Sequence, residues 1–156
     1  MVRTLTEAKE YASEVIEEYD LSFDRNDIEI RESGRLTRSH GRWYHKPDRS
    51  RNLIKLSSHA FENCSVEEIK RTIRHELAHE EDFRNREETG HDFIFREYAR
   101  EMNFTIKASE KTKEYEYLFE CQDCQAEVGR YRRSKFVKKH SQYSCGKCGG
   151  DFVRVR

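Results

Sequence analysis

Residues 73–83 read IRHELAHEEDF, and their meaning decides both the fold and the chemistry. Histidines four apart share one face of an α-helix, with Cβ atoms about 6 Å apart. His75 and His79 can therefore each turn a ring nitrogen to one Zn²⁺ at about 2.0 to 2.1 Å. Glu76, directly after the first histidine, is placed to reach a water in an open coordination position and to take its proton as general base. Ile69, Ile73 and Leu77 form an i, i+4 stripe on another side, which would hold the helix against a sheet while the imidazoles face a cleft. Charged helices also spell H-E-x-x-H by chance, so the surroundings have to carry the argument.

Just upstream, Ser65 followed by Glu68 reads as a capping box and predicts a helix from about residue 66 to the middle eighties. Near the start of the chain, TEAKEYASEVIEEYDLSF puts Ala8, Tyr11, Ala12, Val15, Ile16 and Tyr19 at helical spacing. IEIRES, RLTRSHGRWYH and RNLIKLSS follow, short β-branched and aromatic runs broken by turn residues, and predict three antiparallel strands. Downstream, a further helix begins near His91 and carries Phe93, Phe95, Tyr98, Ala99 and Met102.

A catalytic zinc takes three protein ligands and one water. His91, Glu80, Glu81, Glu87 and Glu88 are the candidates for the third. The metzincin pattern needs Gly and His where this chain has Asp82 and Asn85, which excludes that class. His91 is favoured, because it follows Gly90 where a turn can bring it back over the first helix.

The segments RLTRSHGRWYHKPDRSRNLIKLSS, IRHELAHEEDF and GHDFIFREYAREMN, in that order, resemble the SprT-like family of zinc metalloproteases, to which the Spartan proteases of DNA–protein crosslink repair belong. The resemblance spans most of the chain. It implies an α+β, zincin-like domain of helix, three-stranded antiparallel sheet, H-E-x-x-H helix and further helix. It also implies His75, His79 and His91 as zinc ligands, Glu76 as the catalytic carboxylate, and protein substrates held on DNA. The run HEEDFRNREETG, residues 79–90, departs from the family in its charge and leaves the shape of the cleft open.

Beyond residue 106 the pattern changes. CQDC and CGKC supply Cys121, Cys124, Cys145 and Cys148, two knuckles that can close a tetrahedral, structural Zn²⁺ site at about 2.3 Å and fold a module too small to fold by burial. Cys64 is left over as a small buried apolar residue. Residues 1–106 hold 18 Lys and Arg against 23 Asp and Glu, and residues 107–156 hold 12 against 7. The expected domains are thus 1–106 and a zinc ribbon at 107–156. Between the knuckles Arg130, Arg132, Arg133, Lys135, Lys138 and Lys139 alternate with Tyr131 and Phe136, a mixture suited to single-stranded or distorted DNA.

With 35% apolar and 38% charged residues the core must be small or helped by metal. The chain lacks a secretory or membrane-spanning run, so the expected setting is cytoplasmic or nucleoid-associated, with reduced cysteines. Two functions follow: a zinc metalloendopeptidase with one catalytic and one structural Zn²⁺, or a non-catalytic zinc-containing scaffold that binds nucleic acid. On the strand before the helix, Trp43, Tyr44 and His45 border the expected cleft, and none is assigned to the oxyanion.

Overall fold

The computed structural model describes residues 2–108 and 110–156. Contacts divide the chain into two units, up to Lys113 and from Glu114 to Arg156. No helix among the described residues is long and apolar enough to cross a membrane.

In the first unit, α1 (Leu5–Glu18) starts at a Thr4–Glu7 capping box and buries Ala8, Ala12, Val15 and Ile16. Three strands follow, β1 (Ile28–Ser33), β2 (Gly41–Tyr44) and β3 (Asn52–Ser57). Their order is β1-β3-β2. β2 and β3 are antiparallel, but β1 runs parallel to β3, which corrects the expected antiparallel sheet. The cause is the position of β3. It is the most apolar strand, with Leu53, Ile54 and Leu56 buried, and it slots between the other two. The link through residues 34–40 therefore has to cross two strand spacings, about 10 Å. That link is held on β3 and the helix after it, by Ser57 Oγ donating to the Leu36 carbonyl at 2.6 Å and by the His59 ring on the Gly34 carbonyl at 3.0 Å.

A short helix not expected from the sequence, α2 (Ser58–Asn63), is capped by Ser57. α3 (Val66–Arg86) is the central element, and Ile69, Ile73 and Leu77 do face the core. Only half of the expected capping box forms. Ser65 Oγ accepts from the Glu68 N–H, but the Ser65 N–H donates to Glu110 at 2.6 Å, while Glu68 turns inward to His40 at 3.4 Å. α4 (Phe93–Glu101) closes the unit.

The chain then straps back across the unit, which is why the unit reaches Lys113 and not residue 106. His40 contacts the Glu110 carbonyl at 2.6 Å, Asn63 donates to the Thr112 carbonyl at 3.0 Å, and Thr112 is buried. Cys64 sits under this strap, 1% exposed, its thiol pushed up to about 11 by burial.

The second unit is a sheet of order β5-β4-β6, from β4 (Tyr117–Cys121), β5 (Glu127–Arg130) and β6 (Phe152–Arg154), with the short helix α5 (Lys135–Lys138). Its small core is Phe119, Val137, Phe152 and two of the cysteines.

Candidate metal centre

α3 carries His75, Glu76 and His79 on the side that meets β2 and α4. Glu87, in the left-handed region at φ 58°, ends the helix, and Asp92 caps the next one by accepting from the Phe95 N–H at 3.0 Å. The turn between them returns His91 to α3. The Nε2 atoms converge: His75 lies 3.2 Å and His91 3.0 Å from His79. Phe95, fully buried, is the common floor, its ring 5.3, 4.3 and 4.8 Å from the rings of His75, His79 and His91. Trp43 of β2 stacks on His79 at 6.0 Å.

Three ring nitrogens this close repel unless a cation or a proton sits among them. Two points of a tetrahedron around Zn²⁺ lie about 3.3 to 3.4 Å apart when each bond is about 2.0 to 2.1 Å, so the observed separations fit a metal. Protonation does not. Burial holds His75 down to about 4 and His79 down to about 3, and each is lowered further by its imidazole neighbours. The His75 Nδ1 faces the Thr105 carbonyl at 3.3 Å, which places the ring proton there and leaves the Nε2 lone pair pointing inward. Among the described residues, no hydrogen-bond partner faces the buried His79 Nδ1.

Glu76 is 6% exposed and lines the cleft with Gly41, His75 and His91. Burial pushes its carboxyl up to about 8, opposed by the Trp43 backbone N–H and the charge of Arg42. Of the three residues on this edge of the cleft, the Trp43 Nε1–H donates to Glu80 at 2.6 Å, Tyr44 lies on the sheet's other face, and His45, just past the end of β2, packs on Phe83 and contacts Asn52.

In the second unit the sulfurs of Cys121 and Cys148 are 3.4 Å apart and those of Cys124 and Cys145 3.6 Å. A tetrahedron with Zn–S bonds of about 2.3 Å has edges of about 3.8 Å. Both groups, the four cysteines and the three histidines, could hold a metal ion. The Cys148 and Lys147 N–H groups lower the Cys145 thiol to about 6. The Gly150 N–H does the same for Cys148, but the sulfurs of Cys121 and Cys124 push it up to about 12. Four sulfurs gathered at these separations suit the ligand set of one metal ion. Stripping metal from the protein is expected to unfold this unit, read as loss of dispersed amide signals from residues 114–156 on adding a chelator.

The sequence model of the SprT-like family matches residues 8–115. The chain belongs to the SprT-like family. No curated protein matches it. Membership in the SprT-like family suggests a metalloprotease-type function, and the matched span contains every element that builds the histidine site while stopping short of the cysteine knuckles.

The acidic start of the charged run at residues 79–90 lies inside the first unit, while its end, from Glu87 to Gly90, is exposed. Glu80, Glu81 and Asp82 are all buried, none of them among the converging ligand atoms. Glu80 accepts from Trp43, from Asn52 at 3.0 Å and from Arg84 at 2.8 Å. Glu81 accepts from the Ser22 N–H and hydroxyl at 2.9 and 2.8 Å. Asp82 takes both arms of Arg86, at 2.7 and 3.0 Å, and the same guanidinium reaches both oxygens of Asp92, at 3.1 and 2.9 Å. These carboxylates are second supports of the site: Glu80 through Trp43 against His79, and Asp82 through Arg86 and Asp92 beside His91. The i, i+4 spacing of Glu80–Arg84 and Asp82–Arg86 was the available signal. Exchanging Trp43 for Phe keeps the stack but removes the donor to Glu80, and is expected to cost about 1.5 to 3 kcal/mol in a denaturant titration.

The ribbon residues expected to touch nucleic acid divide into two sets. Arg132, Arg133, Lys135, Lys138 and Lys139 are exposed. Phe136 instead packs on Phe119 and Phe152, with Arg130 over its ring at 5.1 Å, and Tyr131 packs on Tyr115 at 4.8 Å.

Proposed function

We propose that this protein is a zinc-dependent metalloendopeptidase that cleaves proteins bound to DNA, working in the cytoplasm or at the nucleoid. The observation that carries the reading is the convergence of the His75, His79 and His91 Nε2 atoms next to a buried carboxylate in an open cleft. Zn²⁺ held by these three imidazoles would supply a Lewis acid for the scissile carbonyl and for water.

The protein's own groups do the rest. Glu76 Oε takes a proton from the attacking water as the new C–O bond forms, then delivers it to the departing amide nitrogen as the C–N bond breaks. Its burial favours that role, because a carboxylate out of bulk water is a stronger base. Beside a dication held by His75, His79 and His91, the carboxyl would shift back towards the ionised form that can accept a proton. Phe95 and Trp43 hold the imidazoles in place. In the ribbon, a structural Zn²⁺ on Cys121, Cys124, Cys145 and Cys148 would keep Arg132, Arg133, Lys135, Lys138 and Lys139 on one small module, where they can meet the phosphates of single-stranded or distorted DNA.

Two measurements test this. Mass spectrometry of the intact protein should find about two zinc ions, and His91→Ala about one. An unchanged count removes His91 from the ligand set. Second, a DNA-binding protein offered with and without single-stranded DNA should be cut faster on the DNA. Equal rates would retain the peptidase and discard the DNA-bound substrate.

A further inference from the structure

Charge in the first unit is segregated. Residues 31–55 carry eight Lys and Arg against two Asp and Glu, while the remainder of residues 1–106 carries ten against twenty-one. This segment supplies the end of β1, the edge strand β2, the middle strand β3 and the loops between them. Strand alternation turns Ile30, Ile54 and Leu56 into the core, and so turns Arg31, Lys55 and Arg42 the other way.

The register sets these three cations side by side, Arg31 opposite Lys55 and Lys55 opposite Arg42. With strands about 4.8 Å apart, the row is about 10 Å long. One step along, on the same face, stands Tyr44. Its ring centroid is 5.6 Å from the Arg42 guanidinium carbon, 5.4 Å from Lys46 Nζ and 5.2 Å from Lys55 Nζ.

Like charges directly opposite on neighbouring strands are destabilising. The negative face of Tyr44 offsets part of this by attracting all three of its cations. Glu29 offsets another part, with Arg31 at 2.5 Å and Arg49 at 3.8 Å. Among the described residues, no carboxylate comes within 4.0 Å of the charged groups of Arg42, Lys46 or Lys55. The core does not use them either, since they lie on the face turned away from it.

We propose that this outer face of the sheet binds a single nucleic-acid strand, its phosphates on the Arg31–Lys55–Arg42 row and Lys46, and a base on Tyr44. A row of about 10 Å spans about two neighbouring phosphates of an unpaired strand, and Lys46, beyond its end, can meet a third. Guanidinium groups grip phosphates with two hydrogen bonds, and an aromatic ring among cations stacks a base, a use that an acidic peptide does not have for it. An unpaired strand fits because only there is a base free to leave its partner for the ring. β2 forms part of this face and also borders the metal cleft, so a strand held here would lie next to the place where a protein substrate is cut. The site does not depend on the cleft being catalytic or on the ribbon binding nucleic acid.

The test uses the full chain and a labelled single-stranded oligonucleotide, with anisotropy followed across a salt series. Changing Arg31, Lys46 and Lys55 together to Gln should weaken binding and lower the slope of log K against log salt by about two, since each phosphate contact on a single strand contributes about 0.7. Tyr44→Ala should weaken binding about tenfold, and Tyr44→Phe should not. Arg42 stays unchanged because it borders the cleft. The parallel ribbon variant, Arg132, Arg133 and Lys135 to Gln, separates the two surfaces. Photocrosslinking of a bromouracil oligonucleotide to the unaltered protein adds a readout that needs no variant, and should label the peptide containing Tyr44. An unchanged slope in the sheet variant, crosslinks in ribbon peptides alone, tighter binding of duplex than of single strand, or displacement by polyglutamate as effective as by unlabelled oligonucleotide would each overturn the proposal.

Discussion

Replacing Glu76 with Gln leaves the histidine metal and the fold in place and lowers peptide hydrolysis by about 10²- to 10⁴-fold. Gln has the same shape, and its side-chain carbonyl can still face the Trp43 N–H that stabilises the carboxylate. What it loses is the capacity to accept and return a proton. Glu76→Asp is the informative companion. It keeps the base but draws it back by one methylene, so it should retain more activity than Gln while binding the same metal. Metal content and cleavage are measured on the same preparations. If Gln cleaves as the natural protein does, the enzyme reading fails and the scaffold reading takes its place.

The sequence makes α3 readable because two of its patterns agree. The stripe of Ile69, Ile73 and Leu77 points to the core, and His75 and His79 project from a different side. The strands are readable as segments, since alternation marks which face is buried. It does not mark direction, so β1 parallel to β3 was hidden. Composition misleads most strongly at residues 80–82. Acidic side chains are seldom buried without partners, and here the partners stand far away in sequence: Trp43, 37 positions from Glu80, and Ser22, 59 positions from Glu81. A local reading sees Glu80–Arg84 and not the tryptophan beyond it. The same holds for the Ser65 cap, whose second half comes from Glu110, and for the end of the first unit, set by strap contacts that no motif records. In the ribbon the knuckles are legible from spacing alone, whereas the placement of Phe136 in its core is not. An aromatic among basic residues has the same letters whether it stacks on a base or on Phe119.

Arg86→Met is expected to weaken metal binding at the histidine site by about 10- to 100-fold, the range seen when groups that orient metal ligands are removed, and to leave the cysteine site untouched. The argument is geometric. One guanidinium joins the last turn of α3, through Asp82, to the first residue of the α4 cap, through Asp92. His91 immediately precedes that cap, and its Nε2 must arrive within about 3 Å of His79 from a turn that has few other ties. Met fills similar space but abandons both carboxylates, and Asp82, fully buried, then keeps a charge with no counterpart. Lys at this position restores the charge without the planar fork and should recover part of the affinity. Asp92→Asn isolates the cap from the ion pair, because Asn can still accept the Phe95 N–H; its loss should be smaller than that of Met. Competition with a chromophoric chelator reads both metals at once, the cysteine site serving as internal reference. A brace that only supports the fold would lower the unfolding temperature of the metal-free chain and leave the competition curve where it was, and that outcome would remove Arg86 from the positioning of His91.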